Sequence, residues 1–428
     1  FNPVYSKVQL NNADQRSAYS YGTLLTVNAD ATLMAVDNHS SEVIIREKIG
    51  IATPWSLRQT IQVPFFAKLV IGNDWNTLDD KAPTAIAFSA DGTWLAVGAA
   101  NVSHITTGAS NGSYTPVSVT GTDSGLTSQG VISLYKKDAN NIFTLVDSIV
   151  SPEPANDELF GSALAFVGNK LLITAPGSNT VYTMVYGESE PVVVSYNSVG
   201  STGATITVSS TVGITAGMRV RGTGFDSDQH VLEVLSSTKL LLSGSPSATP
   251  SIQLGFVTIS WSYGVQTLSE SSTNYGYKFS VSNDQTTLMV LSDDTIFPYR
   301  DIDGTLTAYG TPFTATAAAV SNNSGYLAIS DSVDVKVYKD TGTEYALYKT
   351  LLPKHVGNFG STLGFMNDFQ SLVIYNLSMS GDTASIDVYD FYDTTWTYSE
   401  TISSTTVGTD YGFAIGENRS EERRVGKE

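Results

Sequence analysis

The feature that most restricts this chain is a unit that recurs along most of its 428 residues. Its clearest copy starts at Phe160-Gly161. A small-residue apolar segment follows (Ser162–Val167), then Gly168-Asn169, Lys170–Thr174, the loop Ala175-Pro176-Gly177-Ser178, and Thr180–Tyr186, which ends in an aromatic. Glycine and asparagine both tolerate positive φ, so Gly168-Asn169 predicts a two-residue hairpin turn. The order recurs. Tyr21-Gly22 leads to TLLTVNADATLMAV, Thr84–Gly98 reads TAIAFSADGTWLAVG, Tyr275-Gly276 leads to YKFSVSNDQTTLMVL, Ala315–Ser330 reads ATAAAVSNNSGYLAIS, and Phe359-Gly360 leads to STLGFMNDFQSLVIY. Short strands repeated at this period cannot bury their apolar faces alone and must stack on their neighbours.

Third strands end at Tyr135, Tyr186, Tyr338 and Tyr389. A fourth segment pairs an aromatic with an aliphatic six positions on: Trp55 with Ile61, Phe143 with Ile149, Tyr345 with Leu351, Trp396 with Ile402. The even spacing predicts that both members share one strand face. Trp261 and Leu268 stand seven apart, which predicts a one-residue bulge there. Four strands per unit predict an all-β fold, a β-propeller. Unit starts near 22, 84, 161, 276, 315, 360 and 412 give about seven blades. Tyr309-Gly310 falls five residues early for the pattern and is not a blade start. Val4–Gly22 reads as a fourth strand with its linker, and Asp410–Asn418 as the beginning of a new blade, so the two ends are expected to share a closing, incomplete seventh blade.

Between the third and fourth strands of blade three lies an extra stretch, roughly Val193–Phe256. Its short alternating strands, separated by glycines, predict a compact β-barrel or sandwich that projects from the blade. The expected domains are therefore 1–192 (blades 1–3, with the N-terminal strand closing the ring), 193–256 (inserted β domain), 257–418 (blades 3–7, the last truncated) and 419–428. The last ten residues hold four Lys/Arg and no aromatic, and read as a spurious or disordered tail of the kind found on metagenomic assemblies. The chain begins at Phe1 without Met and reads as a fragment whose export status is illegible.

At Phe160-Gly161, Gly168-Asn169 and Ala175-Pro176-Gly177 the sequence resembles FG-GAP repeats, the blades of integrin-α-type propellers. The likeness is good over 157–186 and fair at Tyr21-Gly22, Tyr275-Gly276, Phe359-Gly360 and Tyr411-Gly412; blades two and five lack the aromatic-glycine start. The family often carries Asp-x-Asp-x-Asp-Gly calcium loops between its first two strands. The matching turns here are Asn28-Ala29-Asp30, Ser89-Ala90-Asp91-Gly92, Asn283-Asp284, Asn322-Asn323 and Asn367-Asp368. None supplies three alternating carboxylates, and calcium takes six to eight oxygens, so no calcium site is carried over. Calcium stays the one cofactor left open. The inserted stretch resembles small β modules of tailed-bacteriophage structural and tail-fibre proteins.

Composition narrows the function. The net charge is −18 with no internal Lys/Arg run, which excludes a phosphate-binding surface and hence nucleic acid. There is no cysteine, so no disulfide, thiolate metal site or cysteine nucleophile. No apolar run reaches the roughly 18 residues a membrane span needs. The four histidines, His39, His104, His230 and His355, show no metal-type spacing and read as surface residues. Asp293-Asp294 and Asp301-Ile302-Asp303-Gly304 form the densest acidic cluster. Paired acids suit a glycosidase or a calcium loop. Asp301 and Asp303 are thus the metal candidates, although the run has no further ligands at loop spacing and reads better as a polar hairpin. The Gly/Ser/Thr-rich stretch His104–Gln129 is either a contact loop for sugar or protein, or a mobile loop. Propeller enzymes place acids and arginines on their first strands; here Lys278 is the only charged residue on those strands.

The expected function is a non-enzymatic structural or adhesion protein, a phage tail or virion component that presents a projecting β module for protein or glycan contact. Its partners would be other virion or cell-surface proteins and glycans, and its place the virion or the cell exterior. The alternatives are a secreted or surface FG-GAP bacterial adhesin and a propeller glycosidase or lyase.

Overall fold

In a computed structural model of the chain the described residues are 24–30, 32–37, 42–48, 54–63, 83–102, 126–138, 140–226, 229–248, 250–282, 284–353, 358–366, 370–377, 384–392 and 394–403. The chain divides into two compact units, Met184–Gly264 and the remainder.

The larger unit is a succession of antiparallel sheets in which consecutive strands are neighbours. Blade 1 runs Leu25–Val27, Leu33–Asp37, Glu42–Glu47, Ser56–Gln62. Blade 2 runs Ala85–Phe88, Trp94–Ala99, Val131–Lys137, Phe143–Ile149. Blade 3 runs Leu164–Val167, Lys170–Ala175, Thr180–Glu188, Ile259–Ser269, and the boundary between the units falls inside its last two strands. Blade 4 runs Lys278–Val281, Thr287–Leu291, Thr295–Ile302, Thr305–Ala308, with Phe313–Thr314 added beside its third strand. Blade 5 runs Ala317–Val320, Tyr326–Ser330, Val335–Asp340, Tyr345–Leu351, and blade 6 runs Asn358–Met366, Ser371–Leu377, Ala384–Tyr392, Thr395–Ser403. The six first strands follow one another in this order, each packed on the next, and all six line one cavity. That is a β-propeller of six described blades. The expected closing blade, built from Val4–Gly22 and Asp410–Asn418, and the first blade's start Tyr21-Gly22 lie outside the described residues.

The aromatic-glycine pair has a packing reason. Phe160, Tyr275 and Phe359 are fully buried, and the glycine after each holds φ between 83° and 88°. There it lies against the preceding blade: Gly161 against Gly98, Gly276 against Thr174, Gly360 against Ser330. A side chain in this left-handed conformation would be both strained and crowded. Tyr309-Gly310 also has positive φ, but its glycine faces Glu344 in the turn between the third and fourth strands of blade 5, so it starts no blade.

One sequence expectation needs correction. In blades 1, 2, 5 and 6 the fourth strand carries one extra residue where it pairs with the third: Arg58, Val146, Tyr348 and Ser399 are skipped in the register. Six positions along the bulged strand therefore oppose five along its partner. Tyr345 opposes Asp340 and Leu351 opposes Val335. The aromatic and the aliphatic thus end on opposite faces. Tyr345 packs toward blade 4, while Leu351 packs toward blade 6. The seam between blades 1 and 2 thus receives Ile61 and Phe143, and the seam between blades 5 and 6 receives Leu351 and Trp396, the aliphatic of one blade with the aromatic of the next.

The smaller unit is a six-stranded sheet ordered Arg219–Arg221, Gln253–Val257, Val192–Thr202, Thr205–Val208, Lys239–Leu242, Val231–Ser236. Its ends meet: Val220 N donates to Gln229 O (3.0 Å) and Val231 N to Met218 O (2.8 Å). The result is a closed barrel around Ile206, Val220, Val231, Leu240, Leu254 and Phe256. Closure removes the exposed edges of an open sheet over these residues.

Candidate functional site

The cavity at the propeller centre measures about 400 Å³. Every first strand is an edge of its sheet. One side of its main chain has no strand partner, and that side presents N–H and C=O groups inward. Val27, Phe88, Ala165, Phe279, Ala319 and Phe365 are among the lining residues, and no charged residue lines the cavity among the described residues. Lys278, the cation on these strands, lies outside that lining. Surrounding protein lowers its ammonium pKa by desolvation, although the side chain keeps contact with solvent.

One mouth of the cavity is built by the first-hairpin turns, which contribute Asn28, Ser89, Ser282, Gln285 and Asn322. Three of these turns repeat one hydrogen-bond pattern. In blade 2, Trp94 N donates to Ser89 Oγ (2.9 Å), Ser89 Oγ donates to Asp91 Oδ1 (2.6 Å), and Thr93 N donates to the same oxygen (2.9 Å). In blade 4 the same roles fall to Thr287, Ser282, Asp284 and Thr286. In blade 5 they fall to Tyr326, Ser321, Asn323 and Gly325. Blade 1 uses Asn28 and Asp30 in place of the serine and the aspartate. Burial would raise the Asp91 carboxyl, but the bonds from Ser89 and Thr93 outweigh it and hold the pKa below its ordinary value.

These turns stand where the resembled family carries calcium carboxylates. Each described turn has at most one carboxylate, already engaged by donors of its own turn, and that donor set does not fit calcium. The turns also tie blades together. Ala29 N donates to Ala90 O (3.2 Å), Asp284 N to Asn322 O (2.8 Å), and Gly168 N to Gln285 Oε1 (2.6 Å).

The singled-out acids serve separate ends. Asp301 accepts from Lys170 Nζ across the seam between blades 3 and 4, at 2.5 Å. Asp303 and Gly304 are the central pair of a two-residue hairpin turn, with φ of 49° and 81°. Asp293 accepts from Asn274 and Asp294 from Thr295 Oγ1. No group of three or more metal-ligating side chains occurs among the described residues. His230 lies in the barrel beside Arg219; His39, His104, His355 and the stretch 103–125 lie outside the described residues. Sequence reasoning did not find the seam between blades 4 and 5, where Asp340 accepts from Arg300 (2.8 Å) and from Tyr309 Oη (2.5 Å) and the guanidinium lies 3.8 Å from the Tyr309 ring centre. Burial first, then Asp340, pushes Tyr309 up to about 12. The residues are dispersed in sequence, so no spacing signals them.

No described helix is long and apolar enough to cross a membrane. No family model and no curated protein matches the chain. Among solved structures, a Lactobacillus plantarum protein is similar at 11% identity and TM-score 0.48, over 89% of this chain and 84% of its own. The β-propeller domain of Cps50 (Swd1) from Myceliophteria thermophila is similar at 9% identity and TM-score 0.36, over 86% and 96%. A functionally unknown protein from Desulfotomaculum acetoxidans is similar at 14% identity and TM-score 0.32, over 78% and 86%.

Proposed function

We propose that this chain is a non-enzymatic structural or adhesion protein, a phage tail or virion component in which the propeller is the scaffold and the barrel unit makes contact with protein or glycan. The observation that carries this is the surface of the barrel unit. Its core is closed, yet Val199, Val212 and Ile252 stand 78%, 82% and 81% exposed, with Leu232 and Leu235 about half exposed. Large apolar groups outside a completed core are available to a partner. A cavity lined without charge among the described residues, and acids committed to an ion pair and to turns, speak against hydrolase chemistry at the propeller axis.

Deletion of 193–256 is expected to abolish capture on a glycan array and in host-surface pull-downs while blade packing survives. Binding that persists after the deletion refutes the barrel as the contact element. The aromatic-glycine blade starts suit a bacterial FG-GAP adhesin as well. Neighbouring capsid, portal and tail genes support the virion setting, and a signal peptide upstream of Phe1 supports the adhesin.

A further inference from the structure

The linker from blade 2 into blade 3 holds a carboxylate with no cation beside it among the described residues. Glu158 has no solvent exposure. Its Oε1 accepts from Ser151 Oγ (2.6 Å) and Tyr182 Oη (3.4 Å), and its Oε2 accepts from Ala155 N (3.2 Å). Its own carbonyl accepts from Gly177 N (3.1 Å). The residues on either side, Asp157 and Leu159, have φ of 54° and 58°. Left-handed backbone at a leucine is strained and persists only where surrounding contacts enforce it. Those contacts are the Glu158 carboxylate and a ladder to blade 2: Asp157 N donates to Thr127 O (2.8 Å), Leu159 N to Ser128 O (2.9 Å) and Phe160 N to Gln129 O (3.3 Å).

We propose that Glu158 is a proton-operated clasp, which tightens the junction of blades 2 and 3 when its carboxyl is protonated and loosens it when the carboxyl ionises. The groups facing it are Glu153 and Ser151 on the linker and Tyr182 on the third strand of blade 3; segment 126–130 and turn 176–178 bring no charged side chain. Among the described residues no Lys, Arg or His offsets its ionised form. Ser151 and Tyr182 are hydroxyls, each able to turn from donor to acceptor, so the protonated acid keeps its partners. The ionised acid keeps them too, but holds a net charge away from water.

Burial accordingly raises the Glu158 pKa above its ordinary value, against the pull of the three hydrogen bonds. A carboxyl raised on folding adds stability that is present below the unfolded pKa and lost as pH rises through the folded one.

The test is hydrogen exchange of the full chain from about pH 4.5 to about pH 7, corrected for intrinsic rates and read at amides 127–129 and 155–160. Wild-type protection is expected to fall with pH, by about tenfold for each unit by which the carboxyl is displaced. In Glu158→Gln the protection should be independent of pH and match the acid form. The same pH dependence in the variant, or protection that rises with pH, overturns the clasp. Should the variant not fold, the carboxyl 13C titration of wild-type Glu158 decides: a midpoint above the ordinary glutamate value supports the clasp, and one at or below it overturns it.

Discussion

Gly360→Ala tests why the blades start as they do. The mutation forces a side chain into φ of 83°, which costs about 1–2 kcal/mol for an L-residue. It also places a Cβ 2.6 Å from Ser330 Oγ and 2.8 Å from Val335 Cγ2. Both atoms belong to a buried seam, so relief needs movement of packed groups, at about 1–3 kcal/mol. The expected loss is about 2–5 kcal/mol. Gly168→Ala is the control. Its φ is 59°, but nothing lies within 4 Å of the new Cβ, so only the conformational cost of about 1–2 kcal/mol applies. Denaturant titration followed by both fluorescence and circular dichroism reads the two midpoints, and coincident transitions license a single free energy. Ser330→Ala on the Gly360→Ala background should recover part of the loss, because one of the crowded atoms is gone. Equal losses for the two glycines, or no coupling to Ser330, would refute close approach as the reason for the pair.

Lys170→Ala leaves the Asp301 carboxylate at a seam where the pair's side chains are 8% and 17% exposed, and is expected to cost about 3–5 kcal/mol by chemical denaturation. Lys170→Met with Asp301→Leu should recover most of it. Asp340 moves opposite to Glu158. Burial acts to raise its carboxyl, but hydrogen bonds from Tyr309 and Arg300 outweigh that and hold the pKa below its ordinary value. Its contribution is present above the unfolded pKa and lost as pH falls through the folded one. Thermal melts at decreasing pH should therefore show a smaller acid-dependent fall in Asp340→Asn than in wild type. A calcium chelator should leave the melting temperature unchanged, because hydroxyl and amide donors close the first-hairpin turns.

Much of the architecture was legible because local chemistry and fold agree. Gly168-Asn169 and Asp303-Gly304 both form two-residue hairpin turns, with positive φ at Gly168 alone in the first and at both residues in the second. The strand order of blade 3, interrupted between Thr180–Glu188 and Ile259–Ser269, follows the hydrophobic pattern. The seams were less legible. Lys170 meets Asp301 across 131 positions, and Arg300 meets Asp340 across 40; no periodicity encodes partners that far apart. The acids that looked like ligands are spent on those seams and turns.

The bulge in the fourth strands was hidden for a different reason. Tyr345 and Leu351 six apart look like two residues on one face, and only the register with Val335–Asp340 shows an extra residue at Tyr348. Blades 1, 2 and 6 carry the same extra residue at Arg58, Val146 and Ser399. The feature recurs at one place in four sheets, and in blade 5 it sends Tyr345 to one seam and Leu351 to the other. Deleting Tyr348 should restore an even ladder and turn either Tyr345 or Leu351 out of its seam. Exposing one such side chain costs about 1.5–3 kcal/mol, and the space it leaves adds to that. Tyr348→Ala keeps the residue count and loses the ring, which lies 5.9 Å from Tyr326 and 6.5 Å from Phe391, together with the hydrogen bond its hydroxyl donates to Thr394 O. The deletion should therefore destabilise the protein by more than the alanine substitution does. If the two lose the same stability, the bulge does not set the faces and the seams are packed by some other means.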